Sequence, residues 1–275
     1  MAARSRGSGV MGLFSGIYGD HAAARPGTRT YDDPRVVARL VEARSAFRWD
    51  GVLAPLYQQL AAALLAAATR GGGFDGRLSV CDFGGGLGNG HAVLSAILGE
   101  AVRLEWDVVE TPALAQAGNE RFAGGGLRFH DSLDALEGRV HDLILVSGVL
   151  QYLPDPQAVF ARLAHRPHRH MVMNRFPVRQ AAEPVAADLC TVQDLALLQP
   201  GVSVPHWCFS EERWRRIIGA THATVMRWSD DFDGRHGLDD GSELSFIGML
   251  LSRHPAPGPA PEPAPSPAPA WMPPP

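Results

Sequence analysis

The sequence is poor in cysteine, in net charge and in long apolar runs, and each shortage argues against a class of protein. Its three cysteines, Cys81, Cys190 and Cys208, form no C-x-x-C or metal-ligand spacing, and so sparse a set is typical of the reducing cytoplasm. A net charge of −4 over 275 residues provides no basic field for nucleic acid. The apolar run at 61–68 is far shorter than the roughly 18 residues that a membrane span requires. The first residues contain no long apolar core, so we expect no secretory signal and a soluble, cytoplasmic protein.

What the sequence does contain is an apolar run that ends in an acid and a glycine-rich turn. Residues 78–88 place Asp82 at the tip of this run and Gly84, Gly86 and Gly88 at alternate positions after it. In an α/β domain, the first two glycines leave no side chain between backbone and ligand, and the third lets the next helix approach the sheet. Asp82 places a carboxylate where a cationic or hydroxyl-bearing ligand would lie. A tight strand-to-helix turn without a ligand is the alternative.

The glycine spacing distinguishes between cofactors. A dinucleotide fingerprint, G-x-G-x-x-G, would need a third glycine at Asn89 or at His91. The pattern D-x-G-x-G-x-G fits instead, and it is the first motif of methyltransferases that use S-adenosylmethionine (SAM). A pyrophosphate needs backbone N–H groups and a helix N-terminus, whereas the methionine end of SAM carries an ammonium that an acid can approach.

From residue 77 to 254 the pattern alternates between strand and helix, which predicts a Rossmann-like, mostly parallel α/β sheet. The last two strands, at 222–228 and 243–251, have no helix between them and must be antiparallel neighbours. The segment 178–209 is predicted to be an irregular insertion that forms a wall of the substrate site.

The flanks of this domain are predicted to differ from it. Residues 1–13 are expected to be disordered. Residues 14–76 are expected to form an N-terminal helical cap over the cofactor pocket, with plain packing against the sheet as the alternative. One of its helices begins at Asp33-Pro34, an N-cap followed by proline at the first helical position. Residues 255–275 hold half of the prolines and are expected to be an extended, disordered tail.

Acidic residues at two further strand ends are candidates for binding the cofactor. Glu110 ends the strand 103–110 at the distance from Gly88 that suits a carboxylate gripping ribose hydroxyls. It could instead be a charge at a helix N-terminus. Asp131 and Ser132 follow the next strand, where an acid can accept from the adenine amino group, or can simply cap a short helix.

The fourth strand of the sheet is predicted to end beside the transferred methyl group. It ends at Ser147, and Gln151 and Tyr152 follow it as pocket candidates, with a packed structural loop as the alternative. The histidine- and arginine-rich segment 165–170 resembles a metal or phosphate cluster, but its proline breaks helical ligand spacing and favours a solvated loop. Asp107 interrupts an apolar strand without explanation from the sequence.

Together these stretches resemble a family of class I SAM-dependent methyltransferases often linked to polysaccharide biosynthesis genes. The resemblance covers roughly residues 14–252, and the stretches that carry it are 82–88, 106–110, 147–153, 175–177, Gln193 and 205–207, with 16–18 near the start. It implies a bound SAM and methyl transfer to an acceptor that the family does not define. The family pattern has an acid where this chain has Asn174, and it has no counterpart to the tail.

The predicted reaction is transfer of the SAM methyl group to a hydroxyl or amine of a small-molecule or sugar acceptor, without a metal. His206 is the first candidate for the general base, although a histidine beside a tryptophan can equally be a packing residue. Tyr152, Gln151 and Tyr18 are candidates for orienting the acceptor. Two alternatives are a non-catalytic SAM-binding module that recruits a partner through the insertion or the tail, and a nicotinamide-dependent oxidoreductase, which the glycine spacing disfavours.

Overall fold

The computed structural model describes residues 13–24, 31–51, 55–70, 76–196 and 199–254. The predictions for residues 1–12 and for the tail at 255–275 lie outside the described residues. The helices are α1 (Pro34–Ala46), α2 (Pro55–Thr69), α3 (Asn89–Leu98), α4 (Pro112–Arg121), α5 (Pro156–His165) and α6 (Glu211–Gly219). The strands are β1 (Phe14–Tyr18), β2 (Arg77–Phe83), β3 (Arg103–Val109), β4 (Leu127–His130), β5 (Leu143–Ser147), β6 (His170–Gln180), β7 (Leu189–Asp194), β8 (Ser203–Ser210), β9 (His222–Ser229), β10 (His236–Gly237) and β11 (Glu243–Arg253). None of the helices within the described residues is long and apolar enough to cross a membrane.

The main sheet has the predicted Rossmann-like architecture. Its strands lie in the order β4-β3-β2-β5-β6-β11-β9, and the first five of them are parallel to one another. The last strand of the chain, β11, runs antiparallel to both β6 and β9. The predicted mostly parallel α/β sheet with an antiparallel final strand is therefore confirmed.

Helices cover both faces of this sheet. On one face, Phe160 of α5 and Trp214 of α6 pack over Met173 of β6 in the larger core. On the other face, Leu64 of α2 packs with Trp106 of β3. The parallel strands read as nearly continuous apolar runs because they are buried on both sides.

The N-terminal region differs in two ways from the predicted helical cap at 14–76. Its first segment is the strand β1, which pairs antiparallel with β7. Helix α2 is a layer of the sandwich, because its buried leucines and alanines belong to the core on one sheet face. Asp33 does cap α1 as predicted: its carboxylate accepts from the N–H of Arg35, and Pro34 occupies the first helical position.

The segment 178–209 is not irregular, so that prediction was wrong. β6 continues to Gln180, and β7 and β8 form an antiparallel hairpin that bonds to β1 at one side and to the end of β6 at the other. The hairpin is also attached to the loop after β5, because the Trp207 indole N–H donates to the carbonyl of Leu153 at 3.0 Å. These pairings join residues that are far apart in the chain, which local patterns do not encode.

The histidines of segment 165–170 are not all in a solvated loop, which corrects a second prediction. His168 and His170 are buried, and His170 begins β6. The imidazoles of His168 and His222 stack with their centroids 5.1 Å apart and share a hydrogen bond of 2.8 Å between their Nε2 atoms. Burial lowers the pKa of each to about 4, so both are neutral in the folded protein.

The structure explains Asp107, which is almost fully buried on β3. Its carboxylate accepts from Arg128 at 2.8 Å and from Arg139 at 3.0 Å, and it also bonds to the imidazoles of His130 and His141. Burial alone would raise the pKa of Asp107, but the hydrogen bonds from His141, Arg128 and His130 outweigh burial and hold it far below its usual value. Asp107 therefore ties β3 to β4 and to the loop before β5.

Candidate cofactor and acceptor site

The carboxyl ends of β2 to β5 border a cleft of ≈ 330 Å³. Four of the predicted cofactor residues line it, namely Gly84, Glu110, Asp131 and Ser132. The rest of the lining is Phe83, Val109, Thr111, Leu133, Val149, Leu153, Val159 and Arg162. Apolar side chains thus form most of the wall, and the polar groups are concentrated at the ends of β3 and β4. Three motifs that are separate in the sequence meet here because parallel strands end at the same edge of the sheet.

The carboxylate of Glu110 bridges the glycine turn and the start of α4. Its Oε1 accepts from the N–H of Gly86 at 3.0 Å, and its Oε2 accepts from the N–H of Thr111 at 2.8 Å. Burial raises the pKa of Glu110, while these two N–H groups lower it in part. The helix N-terminal alternative is therefore present in the structure. The carboxylate keeps free lone pairs after these two bonds, and its ligand-binding role stays a prediction.

The three motif glycines have different physical roles. A Cβ on Gly84 would lie 2.4 Å from Cγ2 of Val149, so this glycine lets the turn approach the loop after β5. A Cβ on Gly86, at φ +58°, would meet nothing within 4 Å, so Gly86 faces open space and leaves the backbone bare there. Gly88 precedes α3 in the left-handed conformation, and a Cβ on it would lie 2.8 Å from Leu127.

Asp82 lies beneath the turn rather than on its surface. Only 3% of it is exposed, and its Oδ2 accepts from the indole N–H of Trp106 at 2.9 Å. A Cβ on Gly85 would lie 2.3 Å from this same oxygen, so the backbone of the turn packs directly against the carboxylate. Burial raises the pKa of Asp82 to about 7, and the charge of Glu110 adds to the shift. Its predicted role toward a cationic ligand stays a prediction.

Asp131 and Ser132 reach the cleft from the end of β4. Asp131 is exposed and Ser132 is half-buried. Ser132 precedes the short 3-10 turn Leu133–Leu136 but makes no side-chain capping bond to it, so its hydroxyl remains at the cleft. The neighbouring Thr111, which sequence reasoning missed, lines the cleft with a buried hydroxyl that has no partner among the described residues.

The predicted residues around the end of β5 do not all line the cleft. Ser147 is half-buried at the strand end and does not line the cleft. Gln151 is 3% exposed. The Tyr152 hydroxyl donates to Oε1 of Gln193 at 2.9 Å, so it binds the hairpin. Tyr18 is half-buried in β1, with its ring folded over Gly16. The acceptor-orienting roles of these groups stay predictions.

His206 is completely buried on β8. Its ring packs edge-on against Phe14 and Tyr152, at centroid distances of 4.9 and 5.4 Å. Burial lowers the pKa of His206 to about 3, with smaller contributions from His236 and Arg175. Such an imidazole is a weak base near neutral pH. Its Nε2 has no partner among the described residues, and its catalytic role stays a prediction.

A bulge in β6 brings Arg175 to the same edge of the sheet. Asn174 and Arg175 stand opposite the single residue Gly248 of β11. The guanidinium of Arg175 makes two bonds to the carboxylate of Asp233, at 2.7 and 2.6 Å. Burial alone would lower the pKa of Arg175, but the bonds to Asp233 and its charge raise it. Asn174 accepts from the indole N–H of Trp228 at 3.1 Å, and its own amide nitrogen is buried without a partner among the described residues.

No protein-family model matches the chain, and no curated protein matches it. Solved structures are similar in fold. Magnesium protoporphyrin IX methyltransferase from Synechocystis PCC 6803, with bound SAH, is 17% identical over 82% of this chain and 96% of that chain, with a TM-score of 0.49. Human N-acetylserotonin methyltransferase in complex with SAM is 11% identical over 82% and 61%, with a TM-score of 0.47. The cyclase SpnF is 14% identical over 79% and 93%, with a TM-score of 0.47.

Proposed function

We propose that this protein is a SAM-dependent methyltransferase that acts on a hydroxyl or amine of a small-molecule acceptor. The observation that carries the proposal is the convergence of the glycine turn, Glu110 and the Asp131-Ser132 pair on one apolar cleft at the carboxyl edge of the sheet. The D-x-G-x-G-x-G spacing supports the same cofactor. A sugar acceptor, which the family resemblance implies, is part of the proposal.

The cleft suits an adenosine in its distribution of polar and apolar groups. Leu133, Val149 and Leu153 provide an apolar lining for an adenine ring. Glu110 would hold the ribose hydroxyls with the lone pairs that remain after its bonds from the N–H groups of Gly86 and Thr111. Asp131 would accept from the adenine amino group. Asp82 would stabilise the positive charge of the methionine end from beneath the turn.

When bound, SAM supplies an electrophilic methyl group. The residues of this chain then have to exclude water and hold the acceptor in line with that methyl. Tyr152 and Gln151 lie after β5 at this end of the sheet and are the proposed walls. If His206 were the base, turnover would be insensitive to pH between 5 and 8, because its pKa is about 3.

The cofactor assignment can be tested by calorimetry with SAM, SAH and NAD. We expect SAM and SAH to bind and NAD to show no binding. Glu110→Gln should weaken SAM binding by about tenfold, since a buried carboxylate that accepts hydroxyl bonds is replaced by a neutral amide. Glu105→Gln is the matched control, because Glu105 lies near the start of β3, the strand that Glu110 follows, and its ion pairs among the described residues are with Arg77 and Arg103. Binding of NAD in place of SAM would overturn the proposal.

Catalysis needs a separate test. Labelled SAM should transfer its methyl group to at least one member of a panel of sugars, nucleotide sugars and small metabolites. SAM binding without transfer to any acceptor would favour the non-catalytic binding module instead.

A further inference from the structure

The backbone at Arg175 is held in a conformation that its residue type disfavours. Arg175 has φ +53°, and it is the one non-glycine residue with positive φ among those the structure describes. Side chains other than glycine rarely adopt this region, because the Cβ crowds the following carbonyl. Such strain persists only where the surroundings enforce it, and it is concentrated at functional sites.

The loop 230–233 provides that enforcement. Asp233 grips one edge of the guanidinium with both carboxylate oxygens. Phe232 stacks under the guanidinium, with its ring centroid 5.4 Å from Cζ. Asp230, which is 3% exposed, accepts from the backbone N–H of Phe232 at 3.1 Å. Two side chains of one loop, those of Phe232 and Asp233, therefore fix the position and the plane of a single arginine.

The opposite edge of the guanidinium is left without a partner. Nε and Nη2 donate to Asp233, whereas Nη1 has no hydrogen bond to any described residue. Nη1 lies over Gly148, and a Cβ there would be 3.2 Å from it. Gly148 directly follows β5, so this free edge is located at the end of the strand next to the glycine turn. The side chain of Arg175 is 29% exposed, which leaves the edge accessible.

Arg179, four residues further along β6, makes a similar ion pair without backbone strain. It also pairs with an aspartate, Asp240, and its Nε donates to Ser242 at 3.0 Å. Its backbone lies in regular register opposite Leu244, without positive φ. An arginine–aspartate pair can thus be buried in this strand without a bulge and without a loop such as 230–233.

From these contacts we infer that Arg175 binds an oxyanion, a carboxylate or a phosphate, of a small molecule held at the end of β5. Two N–H groups in one plane, on a side chain that stays charged at any working pH, match the oxygens of such a group. The inference rests on the proposed function in its choice of ligand source. The oxyanion belongs either to an acidic acceptor or to the carboxylate at the methionine end of SAM.

The first experiment uses inorganic phosphate as the probe and the arginine Nε–H resonances of 15N-labelled protein as the readout. Phosphate should shift the Arg175 resonance saturably, at a concentration at least tenfold lower than for Arg179. Arg175→Lys assigns the resonance, because the variant keeps the charge but lacks this Nε–H. Equal responses of Arg175 and Arg179, in both free and SAH-loaded protein, would overturn the inference.

The same titration distinguishes the two possible sources of the oxyanion, the acceptor and the cofactor. A response that persists with SAH bound assigns the site to an acidic acceptor. A response that disappears with SAH but persists with 5′-methylthioadenosine, which lacks the amino-acid end, assigns it to the cofactor carboxylate. In that case Arg175→Gln should weaken SAM binding at least tenfold and Arg179→Gln should not. If the protein binds no SAM at all, the proposed function fails, and the phosphate titration of the free protein still decides the role of Arg175.

Discussion

The two halves of the proposed site, one for the cofactor and one for the acceptor, are built in different ways. On the cofactor side, each polar group follows its own strand directly, as Glu110 follows β3 and Asp131 follows β4. On the acceptor side, the groups come from distant parts of the chain. Tyr152 bonds to Gln193, 41 residues away, and Arg175 bonds to Asp233, 58 residues away. The first half depends on local sequence and the second on long-range strand pairing, so damage to each should have different consequences.

The largest effect on SAM affinity should come from adding a side chain to the glycine turn of the proposed cofactor half. Gly84→Ala places a methyl group against Val149 at a backbone φ of +73°, and we expect SAM affinity to fall by about 100-fold or more. Gly138→Ala is the matched control, because φ there is +75° and the added Cβ meets nothing within 4 Å. It should cost only about 1 kcal/mol of stability. Calorimetry on both variants decides, and equal SAM affinities would show that Gly84 serves the turn alone.

Mild acid should destabilise the fold at β9, because the first residue of this strand, His222, is hydrogen-bonded to His168. Each has a pKa near 4 when folded and an ordinary value near 6.5 when unfolded. The stabilisation is therefore complete above pH 6.5 and is lost as the pH falls toward 4, by roughly 3 kcal/mol for each histidine. Urea unfolding as a function of pH measures this loss.

A double variant, His168→Phe with His222→Phe, should flatten that pH dependence. His165→Gln, at an exposed histidine, should leave it unchanged. An unaltered slope in the double variant would mean that other groups control the acid transition.

A substitution of Asp82 tests whether this buried carboxylate lowers the stability of the protein and strengthens SAM binding. Its folded pKa of about 7 lies above its ordinary value, so the stability that its neutral form contributes is lost as the pH rises from 4 to 7. Asp82→Asn should therefore stabilise the protein at pH 8 by about 1–3 kcal/mol, yet weaken SAM binding about tenfold. Denaturation and calorimetry should move in opposite directions; a loss of stability at pH 8 would contradict this account.

The smallest effect is expected at Tyr152. Tyr152→Phe removes the hydrogen bond to Gln193 and should cost about 1 kcal/mol of unfolding free energy. Tyr18→Phe, whose hydroxyl has no hydrogen bond among the described residues, should cost nothing measurable. Turnover of Tyr152→Phe should fall less than tenfold, and a loss of several hundredfold would identify its hydroxyl as catalytic.

The difference between local and long-range contacts also decides which features the sequence can predict. The sequence predicts that the glycine turn, Glu110 and the Asp131-Ser132 pair lie together because motif and strand end coincide, and their roles toward a cofactor stay predictions. Arg175 was matched to a motif, but its bulge depends on Gly248 and on the 230–233 loop, which no local pattern links to it. His168 was assigned to a solvated loop because its partner, His222, lies 54 residues further along the chain. Asp107 remained unexplained because its four partners belong to neighbouring strands and loops.

The pairing of β1 with β7 has a consequence for how the chain comes to be folded. The carbonyl of Ser15 accepts from the hydroxyl of Thr191, 176 residues away, so β1 must wait for its partner strand until those residues have been synthesised. Closing so long a loop is slow, and contacts of this kind form late. The hairpin edge that β1 covers is meanwhile exposed to other chains. When synthesis stalls, or when many chains are made close together, the exposed edge of β7 would therefore favour association between chains before β1 pairs with it.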